Sequence, residues 1–115
     1  MTESLRTIAC KPASAGRAEG RPVVVRTVAD LVLVQDGDIL VASETEIAFV
    51  PAMLRAAAVI TEQGGRFCHA AVWARENSKP VVLQAEDATS LLSGIARVVV
   101  DADVGIISWE TSDGR

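Results

Sequence analysis

Short runs of Val, Ile, Leu and Ala alternate along this chain with segments of good helix formers, and this alternation strongly constrains the fold. The apolar, β-branched runs are typical of strands. They lie at residues 18–27, 38–42, 57–61, 81–84 and 96–101. Helices are predicted at residues 51–56, 68–77 and 88–92, where good helix formers are frequent. Interleaved strands and helices indicate an α/β domain with a mixed sheet.

Proline and glycine residues mark several element boundaries. Pro22, inside the run at 18–27, indicates an edge strand or a bulge because proline has no N–H to donate. Pro51 suits the first turn of a helix, and the segment Ser78-Lys79-Pro80 is expected to terminate the helix predicted at 68–77. Residues 28–32 are predicted as a short helical turn, and 96–101 with 105–109 as a closing hairpin.

The composition excludes several classes of function. The chain has 115 residues, half of them apolar, so it is long enough for one domain with its own core. Aromatic residues make up only 3%, which argues against base-stacking platforms. The net charge is −4 and the basic residues are scattered, so no basic stripe is present to bind nucleic acid or an anionic membrane.

The cysteines and the amino-terminal residues bear on the cellular compartment. Cys10 and Cys68 are the only cysteines. The sequence leaves open whether they form a disulfide, although a reduced pair is favoured. Their spacing does not suggest a zinc site. The first five residues lack the basic start of a signal peptide, and no apolar run is long enough to span a membrane. We therefore expect a cytoplasmic protein with no metal site of its own.

The chemistry of the chain concentrates at residues 61–71, where a predicted strand, a glycine pair and the single histidine at a helix start follow one another. Gly64 and Gly65 can take positive φ and let backbone N–H groups face an anion. The first N–H groups of the helix and its dipole favour a phosphoryl group on His69. The same field favours the neutral ring, whose lone pair can attack phosphorus. The sequence leaves open whether Glu62 or a backbone carbonyl orients the ring.

Other interpretations of these residues stay open from the pattern alone. A lone histidine at a helix start is also compatible with a capping or partly buried residue, and a glycine pair with a plain turn. Arg66 and Arg75 are each compatible with holding phosphate or docking onto an acidic surface, and equally with solvated side chains. Trp73 is expected to pack in the core or at a domain interface.

The segment TEQGGRFCHAAVWARENSKPVV resembles the mobile phosphohistidine domain of phosphoenolpyruvate-utilising enzymes. This family includes pyruvate phosphate dikinase, pyruvate water dikinase (phosphoenolpyruvate synthase), the first enzyme of the sugar phosphotransferase system and rifampicin phosphotransferase. Its signature is a Gly-Gly pair, a short spacer, Ser/Cys-His-Ala/Thr and a helix ending in Ala-Arg-Glu. The segments PASAGRAEGRPVVV, GDILVASET and VVVDADVGII are also similar to the family. The implied domain covers residues 12–110, with 1–11 as a lead-in or short strand and 111–115 as a tail.

The resemblance implies a three-layer β/β/α swivelling domain that carries a phosphoryl or pyrophosphoryl group on His69. Gly64, Gly65 and Cys68 match motif positions near the phosphate, and Arg66 is a further candidate phosphate ligand. No metal ligand is implied.

The loop after the central strand both matches the family and departs from it. Thr45 falls near a family threonine and is a candidate hydrogen-bond donor to the phosphate site. The residues after it, Glu46 and Ile47, replace the Asp-Pro that the family often has. Phe67 stands where many members carry a threonine, which is a regulatory phosphorylation site in plant dikinases, so that regulation is not expected here.

The resemblance further implies a phosphotransferase of the dikinase type in which this chain is the carrier and is not active alone. Its partners would be an ATP-grasp domain or subunit, which binds ATP and magnesium, and a domain that binds phosphoenolpyruvate, pyruvate or another acceptor. The chain has no GxxxxGK[ST] loop and no cofactor site of its own. The alternative is a non-catalytic interaction or regulatory domain that keeps the swivelling fold. The sequence does not reveal the acceptor, the group carried or the ring nitrogen modified.

Overall fold

The structure is a computed structural model, and it describes residues 3–112. Within that range the chain forms nine strands, three α-helices and two 3-10 helices. The strands are β1 (Glu3–Ala9), β2 (Lys11–Ser14), β3 (Arg17–Gly20), β4 (Pro22–Val25), β5 (Ile39–Ala42), β6 (Ala58–Thr61), β7 (Val81–Leu83), β8 (Val98–Asp101) and β9 (Ile106–Ser112). The helices are α1 (Val50–Arg55), α2 (His69–Asn77) and α3 (Ala88–Leu91), and the 3-10 helices are Val28–Leu33 and Ile47–Phe49.

The strands form two separate sheets. One has four antiparallel strands in the order β1-β9-β8-β3. The other has five strands in the order β2-β7-β6-β5-β4, in which β4 to β7 run parallel and β2 is antiparallel to β7. The mixed sheet predicted from the sequence pattern corresponds to the five-stranded sheet. The separate four-stranded antiparallel sheet was not predicted from that pattern.

The five-stranded sheet is buried on both faces, and this creates the three layers. Successive residues of a strand point to opposite faces. Along β5, Leu40 packs with α1 and α2, whereas Ile39 and Val41 pack against the four-stranded sheet and α3. Strands β6 and β7 alternate in the same way. The three-layer β/β/α arrangement implied by the resemblance is therefore confirmed.

The strand predicted at residues 18–27 is wrong as a single element. The chain leaves the four-stranded sheet after Gly20 and enters the five-stranded sheet at Pro22. A Cβ on Gly20 would lie 2.3 Å from the carbonyl oxygen of Gly37, so only glycine fits at this crossing. Arg21, between the two strands, forms a 2.7 Å ion pair with the buried Asp38. Pro22 begins an edge strand, as its missing N–H predicted.

The two ends of the described chain pair with each other. Strand β1 pairs with β9 along its whole length, from Glu3 opposite Ser112 to Ala9 opposite Ile106. Residues 3–9, expected as a lead-in or short strand, are thus an edge strand of the four-stranded sheet. The domain boundaries at residues 12 and 110 stay a prediction. Within residues 3–112, no helix is both long enough and apolar enough to pass through a bilayer.

The parallel strands determine where a site can form. Because β4, β5 and β6 are parallel neighbours, their carboxyl ends lie along one edge of the sheet. Ligands of parallel sheets bind at this edge. The loops that leave β5 and β6 there carry Thr45 and His69.

Candidate functional site

His69 is the first residue of α2 and follows the loop that leaves β6. Cys68 precedes the helix in an extended conformation, and its side chain makes no capping hydrogen bond. The first intrahelical bond along α2 runs from Val72 N–H to the carbonyl of Cys68, at 3.0 Å. The N–H groups of the first turn therefore have no acceptor within the helix, and they form the positive end of its dipole. His69 lies where an anion is favoured.

A hydrogen bond fixes the imidazole ring. Nδ1 of His69 lies 2.9 Å from Oγ1 of Thr45, in a partly buried position. Within residues 3–112, no hydrogen-bond partner is found for Nε2, the other ring nitrogen. The ring lines a small cavity of about 110 Å³ and is half-buried, so reagents can reach it. A neutral ring that donates from Nδ1–H to the threonine oxygen keeps the lone pair on Nε2.

The loops that carry Thr45 and His69 are tied together by their first residues. The Glu62 N–H donates to the carbonyl of Ala42 at 3.1 Å, and the Gln63 N–H donates to the carbonyl of Ser43 at 3.0 Å. The Gln63 amide also donates to the Ser43 hydroxyl at 3.1 Å. These bonds continue the pairing of β5 with β6 beyond the strand ends. They keep the loop that carries Thr45 beside the loop that leads to His69.

The two motif glycines have different roles in the loop. Gly64 has a φ of +113°, and a Cβ there would lie 2.8 Å from Sγ of Cys68. Its carbonyl accepts a 3.0 Å hydrogen bond from the Gln84 amide. Gly65 is not among the residues with positive φ, and a Cβ there would meet no atom within 4 Å. The loop conformation therefore requires glycine at 64, whereas position 65 faces open space.

The structure brings some of the predicted site residues together and separates others. Thr45, Gly64 and Cys68 line the His69 cavity, whereas Gly65 and Arg66 do not. The Arg66 guanidinium lies over the exposed ring of a neighbouring residue, Phe67, 5.2 Å from its centroid. The carbonyl of Arg66 accepts a hydrogen bond from the Arg75 guanidinium. Roles in phosphate binding for all of these residues stay predictions.

Four further residues line the cavity and were not named as site residues from the sequence: Glu44, Thr61, Gln63 and Ala70. Three of them lie within the segment 61–71, where the sequence concentrates its chemistry, and Glu44 directly precedes Thr45. Glu62, which the sequence left open as a partner of the ring, points elsewhere. Its Oε2 accepts hydrogen bonds from the N–H and the hydroxyl of Thr89, at 2.8 and 2.7 Å.

The cysteines and the other side chains that could bind a metal were located within residues 3–112. Cys10 and Cys68 are both free thiols. Burial raises the pKa of the Cys10 thiol to about 11. Across the described part of the chain, no three His, Cys, Asp or Glu side chains are grouped so that they could hold a metal ion. Trp73 is buried in the core between the five-stranded sheet and helices α1 and α2, as expected.

The fold and the site define a three-layer β/β/α domain with a reachable histidine at the start of a helix. The profile of the family "PEP-utilising enzyme, mobile domain" matches residues 34–105, which include Thr45 and the whole segment from Gly64 to His69. The chain belongs to this family.

Similar proteins include phosphoenolpyruvate synthases of archaea. The chain is 42% identical over 95 residues to a probable phosphoenolpyruvate synthase of Archaeoglobus fulgidus and to the phosphoenolpyruvate synthase of Pyrococcus furiosus. These matches cover 83% of this chain, but only 13% and 12% of the two relatives. The chain therefore spans about an eighth of the length of these curated relatives.

Solved structures share the fold. A structure of Enzyme I is similar with a TM-score of 0.54 and 25% identity, over 67% of this chain and 32% of that one. A chain of Thermococcus kodakaraensis aconitase X is similar with a TM-score of 0.67 and 20% identity, over 93% of this chain and 99% of that one. At that identity the second likeness concerns the fold alone. Proteins with different names thus share this architecture, and function has to be argued from the site.

Proposed function

We propose that this chain is a phosphocarrier domain, which accepts a phosphoryl or pyrophosphoryl group on His69 and passes it to a second substrate. The observation that carries the proposal is the 2.9 Å bond between His69 Nδ1 and Thr45 Oγ1. It occupies one ring nitrogen and leaves the other without a partner among residues 3–112, on a residue that lines a cavity. A histidine with only a structural role would not need an unpartnered ring nitrogen beside such a cavity.

The proposed step is an in-line displacement at phosphorus. Nδ1–H donates to the Thr45 hydroxyl oxygen, and the Nε2 lone pair attacks phosphorus. The P–Nε2 bond forms while the bond from phosphorus to the leaving oxygen breaks, and the electron pair departs with that oxygen. In the second half-reaction the acceptor attacks phosphorus, and the P–Nε2 electron pair returns to the ring. The covalent intermediate divides one transfer between distant substrates into two short ones.

The beginning of α2 supports the carried group. A phosphoryl group on Nε2 lies beside the first turn of the helix, whose N–H groups have no intrahelical acceptors. We expect these backbone groups, rather than Arg66, to contribute most of the hydrogen bonds that this chain gives to the phosphoryl group.

The other reactants belong to partners. An ATP-grasp domain or subunit would bind ATP and magnesium, and a second domain would bind phosphoenolpyruvate, pyruvate or another acceptor. The great length of the relatives outside the matched region is compatible with such domains. A cytoplasmic location, where ATP and phosphoenolpyruvate are available, fits this role. The chain alone is expected to form no product from ATP.

Labelling tests the proposal. With its cognate ATP-binding partner and ATP labelled in the β and γ positions, the chain is expected to gain phosphate that is stable in alkali and labile in acid. His69→Ala is expected to abolish the label, and a thermal melt would show that this variant is folded. Label that persists in His69→Ala refutes the proposed carrier residue. No label on the wild-type chain favours the alternative, an interaction domain that has kept the fold.

A further inference from the structure

The residues that line the cavity around His69 include one acidic residue and no basic residue other than the histidine itself. Among the residues of the described segment that line it, none is Lys or Arg, and Glu44 is the acidic one. Glu44 is exposed and forms no ion pair with any described residue. The cavity is small, about 110 Å³, so a group held in it lies near every residue that lines it, Glu44 included. Glu44 also lines the adjacent cavity, together with Arg26 and Glu46.

This composition is unusual for a place that is to receive a phosphoryl dianion. Proteins that hold phosphate tightly surround it with Arg and Lys, which form charge-assisted hydrogen bonds. Here the available donors are neutral: the N–H groups of the first turn of α2, the Gln63 amide and the Thr45 hydroxyl. The Arg66 guanidinium is turned onto the Phe67 ring instead.

We infer that Glu44 keeps the phosphoryl group on His69 transferable by repelling it, an inference that rests on the proposed carrier function. Two unit charges at this separation interact appreciably even in a largely aqueous environment. Repulsion raises the free energy of the phosphorylated state. The carrier therefore gives up its group more readily than it would beside a neutral side chain.

The chemistry of release explains why repulsion speeds it. In the loose transition state of phosphoryl transfer the P–Nε2 bond is largely broken, and its electron pair returns to the ring nitrogen. The phosphoryl group then resembles metaphosphate and carries less negative charge than the ground-state dianion. Repulsion by Glu44 is therefore smaller in the transition state than in the ground state, and the barrier falls. Water or the acceptor forms the new bond to phosphorus.

The inference also states what kind of surface the partner presents. A cavity that repels the phosphoryl group must be complemented by positive charge when the group arrives and leaves. The partner sites are therefore expected to bring cations, as Arg, Lys or bound magnesium, to the face that carries Glu44 and His69. The group is stabilised only while a partner is docked.

The experiment uses phosphoramidate, a small phosphoryl donor that needs no partner and releases ammonia when Nε2 attacks. The wild-type chain and Glu44→Gln are phosphorylated, freed of donor, and followed by phosphorus NMR as the group is lost to water. Glu44→Gln is expected to lose it about fivefold more slowly, and to reach a higher steady level of phosphorylation while the donor is present. Glu46→Gln is the matched control, since Glu46 shares the adjacent cavity with Glu44 but does not line the His69 cavity.

Salt dependence separates repulsion from a merely structural effect. The ratio of the rates at which Glu44→Gln and the wild type lose phosphate is expected to approach one as salt rises from about 0.01 M to about 1 M. The reason is that the Debye screening length falls from about 30 Å to about 3 Å over that range. An unchanged rate of loss in Glu44→Gln, an equal effect in Glu46→Gln, or a ratio insensitive to salt overturns the inference. In those cases the carrier function itself still stands. A wild-type chain that takes no phosphate onto His69 overturns both.

Discussion

Replacing Thr45 by valine isolates the hydrogen bond that orients the histidine. Valine keeps the volume of threonine and removes only the hydroxyl, which lies 2.9 Å from Nδ1 of His69. A partly buried hydrogen bond of this length contributes about 1 kcal/mol net. If that free energy keeps the proton on Nδ1 and the ring in place, its loss raises the barrier to attack by Nε2 by a similar amount. Thr45→Val is therefore expected to be phosphorylated about fivefold to tenfold more slowly.

The assay combines a rate with a direct view of the ring. Phosphorylation by phosphoramidate gives the rate without a partner, and nitrogen-15 NMR of the unphosphorylated chain reports which ring nitrogen carries the proton. In Thr45→Val the proton is expected to shift from Nδ1 toward Nε2. Thr7→Val is the control, because Thr7 is exposed on β1, within the four-stranded sheet. A Thr45→Val chain with the wild-type rate and the wild-type proton position would refute the assignment of Nε2 as the nucleophile.

Three further predictions concern stability and reactivity. Gly64→Ala is expected to lower the free energy of unfolding, measured in urea, by about 1–3 kcal/mol, because Gly64 has positive φ and a Cβ there would meet the Cys68 sulfur. Gly65→Ala is the control and is expected to change that free energy by less than about 0.5 kcal/mol. Equal losses in the two variants would contradict this. The hydrogen-bonded Arg21 guanidinium lowers the pKa of Asp38, so the stability that this carboxylate contributes is present above about pH 4 and is lost as the pH falls through the lower folded value. Asp38→Asn should lack that part of the acid dependence in urea melts at each pH, and a wild-type acid profile in this variant would argue against it. Burial raises the pKa of Cys10 to about 11, so iodoacetamide at pH 8 should alkylate it at least about tenfold more slowly than in the urea-unfolded chain, as followed by mass spectrometry.

Several elements could be predicted from the sequence because their signals are local. The helix expected at 68–77 is α2, His69–Asn77. It ends at Ser78, which has a left-handed backbone with φ of +52°, within the Ser78-Lys79-Pro80 segment expected to terminate it. The strands expected at 38–42, 57–61 and 81–84 are β5, β6 and β7, and every boundary agrees to within one residue. In each case a short apolar run lies between turn residues, and neither signal depends on distant contacts.

The prediction of a single strand at 18–27 was wrong because no local feature of the sequence shows which sheet a strand joins. The pattern is continuous in apolar and β-branched character, yet the chain changes sheets at Arg21. The contacts that force the change involve Gly37 and Asp38, which lie seventeen residues away in the chain from Gly20 and Arg21. A local pattern does not contain such contacts.

The succession of strands and helices, the histidine at the start of α2 and the membership of the family all follow from the amino-acid sequence. The tertiary structure alone decided that Thr45 bonds to the ring and that His69 and Glu44 line the same cavity. Thr45 and His69 are 24 residues apart in the chain and meet only because β5 and β6 are parallel neighbours whose carboxyl ends share one edge. Strand pairing of this kind is a long-range interaction, and the residues that meet through it show no periodicity that links them in the sequence.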